Sequence, residues 1–156
     1  MDETNFIGAD KLKNAWSQKN SHLNLELVGD QESQSAKVIG ALSNKGSYIY
    51  YASPNYFDRF DILKFVKMME RRNRGKNWAI FWDNCPTHKA NIVKDYLGEK
   101  GVPIVFNLPY CPEYNGIESL WGFQKKKFRK LITEAKVNKE IVDVMKAVIR
   151  IQKECA

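Results

Sequence analysis

The sequence predicts a single α/β domain, a mixed sheet with helices on both faces. Three observations carry this. Segments that alternate apolar and polar residues, or run apolar for a few positions, take turns along the chain with segments of helical periodicity. The 156 residues, 44% apolar and 12% aromatic, are enough for one sizeable core. No internal repeat or low-complexity tract interrupts the alternation.

Taken in order, residues 36–42 and 47–52, joined through Asn44, Lys45 and Gly46, read as a β-hairpin. A helix from Asp58 to about Asn73 turns Ile62, Phe65, Val66 and Met69 inward. Residues 78–82 and 103–106 are short buried strands. They flank a helix from about His88 to Lys100, which Thr87 caps and Gly101 stops. A further helix starts near Glu118 and lines Ile117, Leu120, Trp121, Phe128 and Leu131 along its apolar face. From about Thr133 a heptad-like stripe follows, at Val137, Ile141, Val144, Val148 and Ile151. Fewer than three heptads is short for an independent coiled coil, so this segment is expected to be a helix covering the sheet, with a helix-mediated dimer as the alternative. Residues 8–35 read as a loop with one or two short strands, one of them at residues 23–28. The expected organisation is therefore an α/β domain over residues 1–132 and a C-terminal amphipathic helix over residues 133–156 packed on it. The order hairpin, helix, strand, helix, strand, helix matches a ribonuclease H-like fold.

Two acids stand in segments built to present a carboxylate. Asp83 ends the apolar run of residues 78–82, and Glu118 opens a helix-like pattern that runs into Lys125, Lys126, Lys127, Arg129 and Lys130. Thirty-four residues, 84 to 117, lie between them. An acid at a strand tip and an acid at a helix start, beside a basic stretch, point to a metal site facing a polyanion. Asp2 is the candidate third carboxylate, because magnesium favours an oxygen-rich octahedral shell. Three acids brought together raise one another's pKa, so such a cluster is tenable at neutral pH when divalent cations occupy it.

Residues 1–6, 81–88 and 107–121 resemble the three catalytic blocks of mariner-like transposases and their bacterial insertion-sequence relatives, which carry an Asp-Asp-Glu triad. The family's second block, Asp-Asn-x-x-x-His, reads here as Asp83, Asn84 and His88. The third departs from the family at Leu108 before Pro109, at Cys111 and at Gly116, and keeps its acid. The resemblance extends from Met1 to about Lys130. It implies that Asp2, Asp83 and Glu118 are catalytic and hold two Mg2+ or Mn2+ ions, that DNA is cleaved and strands joined at one site, and that DNA, as transposon ends and target, is the partner. It also implies assembly on two DNA ends, for which a homodimer is the candidate form. Asn84, His88 and Asn115 stand as supports behind the carboxylates, with a DNA-facing role as the alternative for His88. In this fold the first Asp sits near the end of the central strand, so with Met1 alone before Asp2 the first strand is expected to be truncated and the isolated chain poorly stable.

Composition fits a nucleic-acid partner. The formal charge is +7 and the pI near 9.3, with no basic amphipathic anchor for a membrane surface. No apolar run reaches membrane-spanning length and no signal pattern opens the chain, so a soluble intracellular protein is expected, nuclear in a eukaryote and cytoplasmic or nucleoid-associated in a bacterium. Cys85, Cys111 and Cys155 make an odd count without metal-motif spacing, which argues against both a disulfide framework and a zinc site. On the helix that starts near Glu118, Glu118, Lys125 and Arg129 recur at i, i+7 and i+11, one face on which cations would grip phosphates without reading sequence. Trp121 and Tyr110 are expected to pack rather than stack on bases, and no small-molecule cofactor is implied. The competing reading is a non-catalytic DNA- or partner-binding remnant; a ribonuclease acting on hybrids shares fold and metals but lacks the specific blocks.

Overall fold

A computed structural model describes residues 1–8, 34–109 and 111–156. Its elements are β1 (Asp2–Ile7), β2 (Ser35–Leu42), β3 (Tyr48–Ser53), α1 (Arg59–Arg72), β4 (Ile80–Trp82), α2 (Asn91–Glu99), β5 (Ile104–Phe106), a 3-10 turn (Pro112–Tyr114), α3 (Ile117–Val137) and α4 (Val144–Lys153). The expected strands at residues 23–28 lie outside the described residues, as does Tyr110.

β1, β2 and β3 form an antiparallel ladder in that order, while β4 and β5 pair in parallel. The two ladders meet where the Met1 nitrogen donates to the Phe81 carbonyl at 2.8 Å. β1 continues from Asp2 to Ile7, and Asp2 lies next to the Met1–Phe81 bond that links β1 to β4.

β2 is covered on both faces, which explains its nearly continuous apolar sequence. Ala36 and Val38 project into one core with Phe6, Tyr48 and the α3–α4 residues Trp121, Phe128, Ile132, Val148 and Ile151. Ile39 projects into the other with Met1, Ile62, Phe65, Val66, Trp82, Val93 and Leu97. The result is a helix–sheet–helix sandwich with α1 and α2 on one side and α3 and α4 on the other.

Local chemistry sets most boundaries. Asp58 accepts from the backbone N–H groups of Phe60 and Asp61 at 2.8 and 2.9 Å, and Asp61 reaches back to the Asp58 N–H, a capping box that starts α1. The hairpin turn closes through Ser43 and Ser47, with Gly46 at φ +82 supplying the left-handed step. Two helix expectations need correction. Thr87 caps no helix: residues 86–89 form a turn, the Thr87 hydroxyl lies 3.1 Å from the Cys85 thiol, and α2 begins only at Asn91. The stripe from Val137 to Ile151 is not one helix, because α3 ends at Val137 and Lys139, at φ +56, turns the chain before Asp143 caps α4. Val137 and Ile141 are exposed, whereas Val144, Val148 and Ile151 are buried. Among the described residues no helix is long and apolar enough to cross a membrane.

Candidate functional site

Asp2 is buried at the head of β1, opposite Gly40 of β2. Glu118 lies in the first turn of α3, where an acid complements the positive end of the helix, and it is exposed. Its backbone N–H donates to the Asn115 carbonyl at 2.9 Å, so buried Asn115 shapes the helix entry that Gly116 leaves without a side-chain cap. Asp2 and Glu118 approach closely enough for the Glu118 charge, and a hydrogen bond open to Asp2 when it is protonated, to favour the protonated Asp2 carboxyl. The Asp2 carboxyl is pushed up to about 7, first by burial and then by the Glu118 and Glu3 charges, against the opposing Glu3 N–H that donates to it at 2.8 Å.

Asp83 follows β4 and is half-exposed. Its Oδ1 accepts from the Cys85 backbone N–H at 3.0 Å, closing a local turn, and lies 2.6 Å from His88 Nδ1. The other imidazole nitrogen of His88 lies 2.7 Å from Glu3 Oε1. The ring has no exposed surface and stacks on the Trp82 indole with centroids 5.0 Å apart and planes 9° apart. Burial alone would lower the His88 pKa, but the hydrogen bond and charge of Glu3, joined by those of Asp83, raise it. Asn84 donates to the Asn107 carbonyl at 2.6 Å, and Asn107 donates to the Cys111 carbonyl at 2.7 Å. These bonds tie the Asp83 loop to the loop that feeds α3.

The structure thus draws Asp2 and Glu118 together and puts Asp83 beside His88. Among the described residues no three His, Cys, Asp or Glu side chains form a ready metal cluster. The donor set nonetheless fits a hard cation: the candidates are carboxylate oxygens, and the buried Asp2 faces the Glu118 charge. Cys85 and Cys111 are half-buried free thiols.

On α3 the cations divide by helical register. Lys125 and Arg129 fall on the Glu118 side and are half-buried. Lys127 is held by Glu154, just past the end of α4, at 3.0 Å, and Lys130 lies 3.7 Å from Glu134. Lys126 is exposed. Trp121 packs in the core, as expected for it.

Sequence reasoning passed over Glu3 and Gly40. Strand alternation signals the first, since the residue after Asp2 must face the opposite side of β1. The glycine within an apolar strand signals the second, because it marks a close approach.

A family model described as DDE superfamily endonuclease matches residues 1–140. No curated protein gives a significant match. Among solved structures, the fold resembles the catalytic core domain of BIV integrase at 16% identity and TM-score 0.53, covering 76% of this chain and 72% of that one. It also resembles the Mos1 mariner paired-end complex with Mn, at 14% identity and TM-score 0.60 over 98% of this chain and 52% of that one. A simian T-cell lymphotropic virus intasome in complex with the PP2A regulatory subunit B56 gamma is similar at 14% identity and TM-score 0.60, over 97% of this chain and 45% of that one. This chain therefore spans about half of the transposase and intasome chains. These likenesses establish the ribonuclease H-like fold of integrase and transposase catalytic cores. With the family match over residues 1–140, they close the assignment: the chain belongs to the DDE superfamily endonucleases.

Proposed function

We propose that this chain is the catalytic domain of a mariner-like DNA transposase, cutting and joining DNA by divalent-metal-assisted phosphoryl transfer. The observation that carries the reading is the close pair Asp2 and Glu118, brought from a strand head and a helix start to the end of the sheet where Asp83 leaves β4. Asp2, Asp83 and Glu118 would hold Mg2+ or Mn2+, which supplies activation of the attacking oxygen and stabilisation of the leaving one when bound.

The chain's own groups do the rest. Asp2 must be ionised to serve as a ligand, so a pKa near 7 makes its readiness depend on pH. Asp83 has one oxygen engaged by His88 and by the Cys85 N–H, and offers the other. Lys125 and Arg129, in register with Glu118, would neutralise phosphates of the DNA leading to the carboxylates. DNA is the partner in this reading, as transposon ends and target, and a homodimer is its working form.

The competing reading, a DNA-binding remnant that does not cut, draws on the lack of a ready three-carboxylate cluster among the described residues. Plasmid nicking at low salt under Mg2+ or Mn2+ titration, with Asp83→Ala and Glu118→Ala alongside, separates the two. Nicking lost in both variants supports the transposase reading. DNA binding without metal-dependent nicking favours the remnant.

A further inference from the structure

We infer that Glu3 is a positioning residue that acts through His88 to hold the Asp83 carboxylate by one oxygen, leaving the other to meet a cation. The inference rests on the metal reading above and deepens it.

Asp2 and Glu3 are neighbours on β1 and so project to opposite faces of the sheet. Asp2 goes to the α3 side, where Glu118 lies, and Glu3 goes to the side of the Asp83 loop, where His88 lies. The imidazole spans the gap, 2.7 Å from Glu3 Oε1 at one nitrogen and 2.6 Å from Asp83 Oδ1 at the other. Its plane is fixed by the Trp82 indole, and it has no exposed surface. A ring so confined can exchange partners only if one of the two carboxylates moves. Glu3, its side chain 24% exposed, has its backbone anchored in the ladder to β2, whereas Asp83 sits in a loop with no ladder of its own. The firm end is therefore Glu3 and the guided end Asp83. Across this gap the backbone offers the Met1–Phe81 bond, and the chain Glu3–His88–Asp83 adds a side-chain brace where β1 and the β4 tip meet. Partners of this kind behind a metal ligand typically change metal affinity or activity about 10- to 100-fold when removed.

The test uses Mn2+ alone as the probe, with binding to the whole chain followed by the loss of the free-ion electron paramagnetic resonance signal. Glu3→Leu should weaken Mn2+ binding about tenfold or more, while Glu3→Gln, which keeps an acceptor for His88, should recover most of the affinity. On an Asp83→Ala background Glu3→Leu should weaken binding no further, because its route to the cation is gone. Weaker binding added on top of Asp83→Ala, or unchanged binding in Glu3→Leu when Asp83→Ala is weak, overturns the inference alone. A wild-type chain that takes up no Mn2+ overturns the metal reading and this inference with it. Should Glu3→Leu fail to fold, the wild-type chain still decides the matter. His22 and His88 are its two histidines, so histidine-selective 15N spectra are simple to assign. Mg2+ at saturation should shift the His88 Nδ1 signal, and an unshifted signal in a chain that binds Mg2+ overturns the brace.

Discussion

Gly40 lies directly across the β1–β2 ladder from Asp2, and a Cβ on Gly40 would come within 2.6 Å of Trp121 Cη2 and 2.9 Å of Tyr48 Cε2. Trp121 follows Glu118 by one helical turn, so the missing methyl at Gly40 is what lets α3 close on the sheet and bring Glu118 to Asp2. Gly40→Ala should push α3 outward against a rigid buried indole. The expected loss of stability is about 1–3 kcal/mol, read as a Tm lower by several degrees. If the Asp2–Glu118 approach matters for catalysis, nicking should fall by more than the fraction unfolded accounts for. A variant with unchanged Tm and unchanged nicking would show that α3 has room to spare.

Burial of Asp2 makes stability fall as pH rises. Unfolded, its carboxyl loses a proton near 3.8, and folded it does so at about 7. Between those values the folded state binds more protons, so the contribution is full below about pH 4 and lost by pH 7, of the order of a few kcal/mol. His88 acts in the same direction, since its pKa is raised in the fold and its stabilisation fades as pH climbs through that raised value. Thermal melts of the metal-free chain should show Tm declining from pH 5 to pH 7.5. Asp2→Asn should flatten much of that decline, and saturating Mn2+ should reverse it in the wild type. A Tm that climbs across this range in the metal-free protein would contradict the assigned burial of Asp2.

A buried amide pair joins the last two helices to the hairpin. Tyr48 donates its hydroxyl to Gln152 Oε1 at 2.5 Å, and Gln152 Nε2 donates to Gln124 Oε1 at 2.9 Å. Burial raises the Tyr48 pKa, which keeps the phenol protonated and donating. Gln152→Ala would leave the hydroxyl and the Gln124 carbonyl without these partners in a fully buried place, and should cost about 2–4 kcal/mol. Tyr48→Phe should cost less, about 1–2 kcal/mol. Denaturant midpoints in the same buffer compare the two. The order matters more than the size, because only Gln152 serves both neighbours.

How much of this was readable without coordinates depends on whether a residue's role is local. The capping box of Asp58 and Asp61 and the Gly46 turn lie within a few positions of their partners, and the sequence placed α1 and the hairpin within a residue or two. The expected α2 start at His88 fails because His88 lies in the turn of residues 86–89, its ring held by Glu3, 85 positions away, and no local pattern encodes that bond. The break between α3 and α4 was legible in principle. Asn138 is a common helix stop and Asp143 a common start, but the apolar stripe masked both. At the site, the alternation along β1 places Asp2 and Glu3 on opposite faces, yet only the packed helices on each side reveal what each face meets.

Register along α3 makes the basic residues unequal. Lys125 and Arg129 fall about 20° to either side of Glu118 on the helical wheel, so in the proposed reading DNA reaching the carboxylates would pass them. Lys127 faces the other way, is held by Glu154 at 3.0 Å and lies over the Phe123 ring. Exposed ion pairs of this kind contribute about 0–1 kcal/mol to stability, so Lys127→Ala should barely change Tm. It should also barely change DNA affinity. Lys125→Ala and Arg129→Ala should each weaken binding to any duplex sequence and reduce the slope of log affinity against log salt by about 0.9. Fluorescence anisotropy with one labelled duplex and one scrambled duplex, from about 50 to 200 mM salt, measures both. Equal slopes for all three variants would mean that DNA lies across the whole helix rather than along its Glu118 face, and would remove the link between the basic residues and the carboxylate end of the sheet.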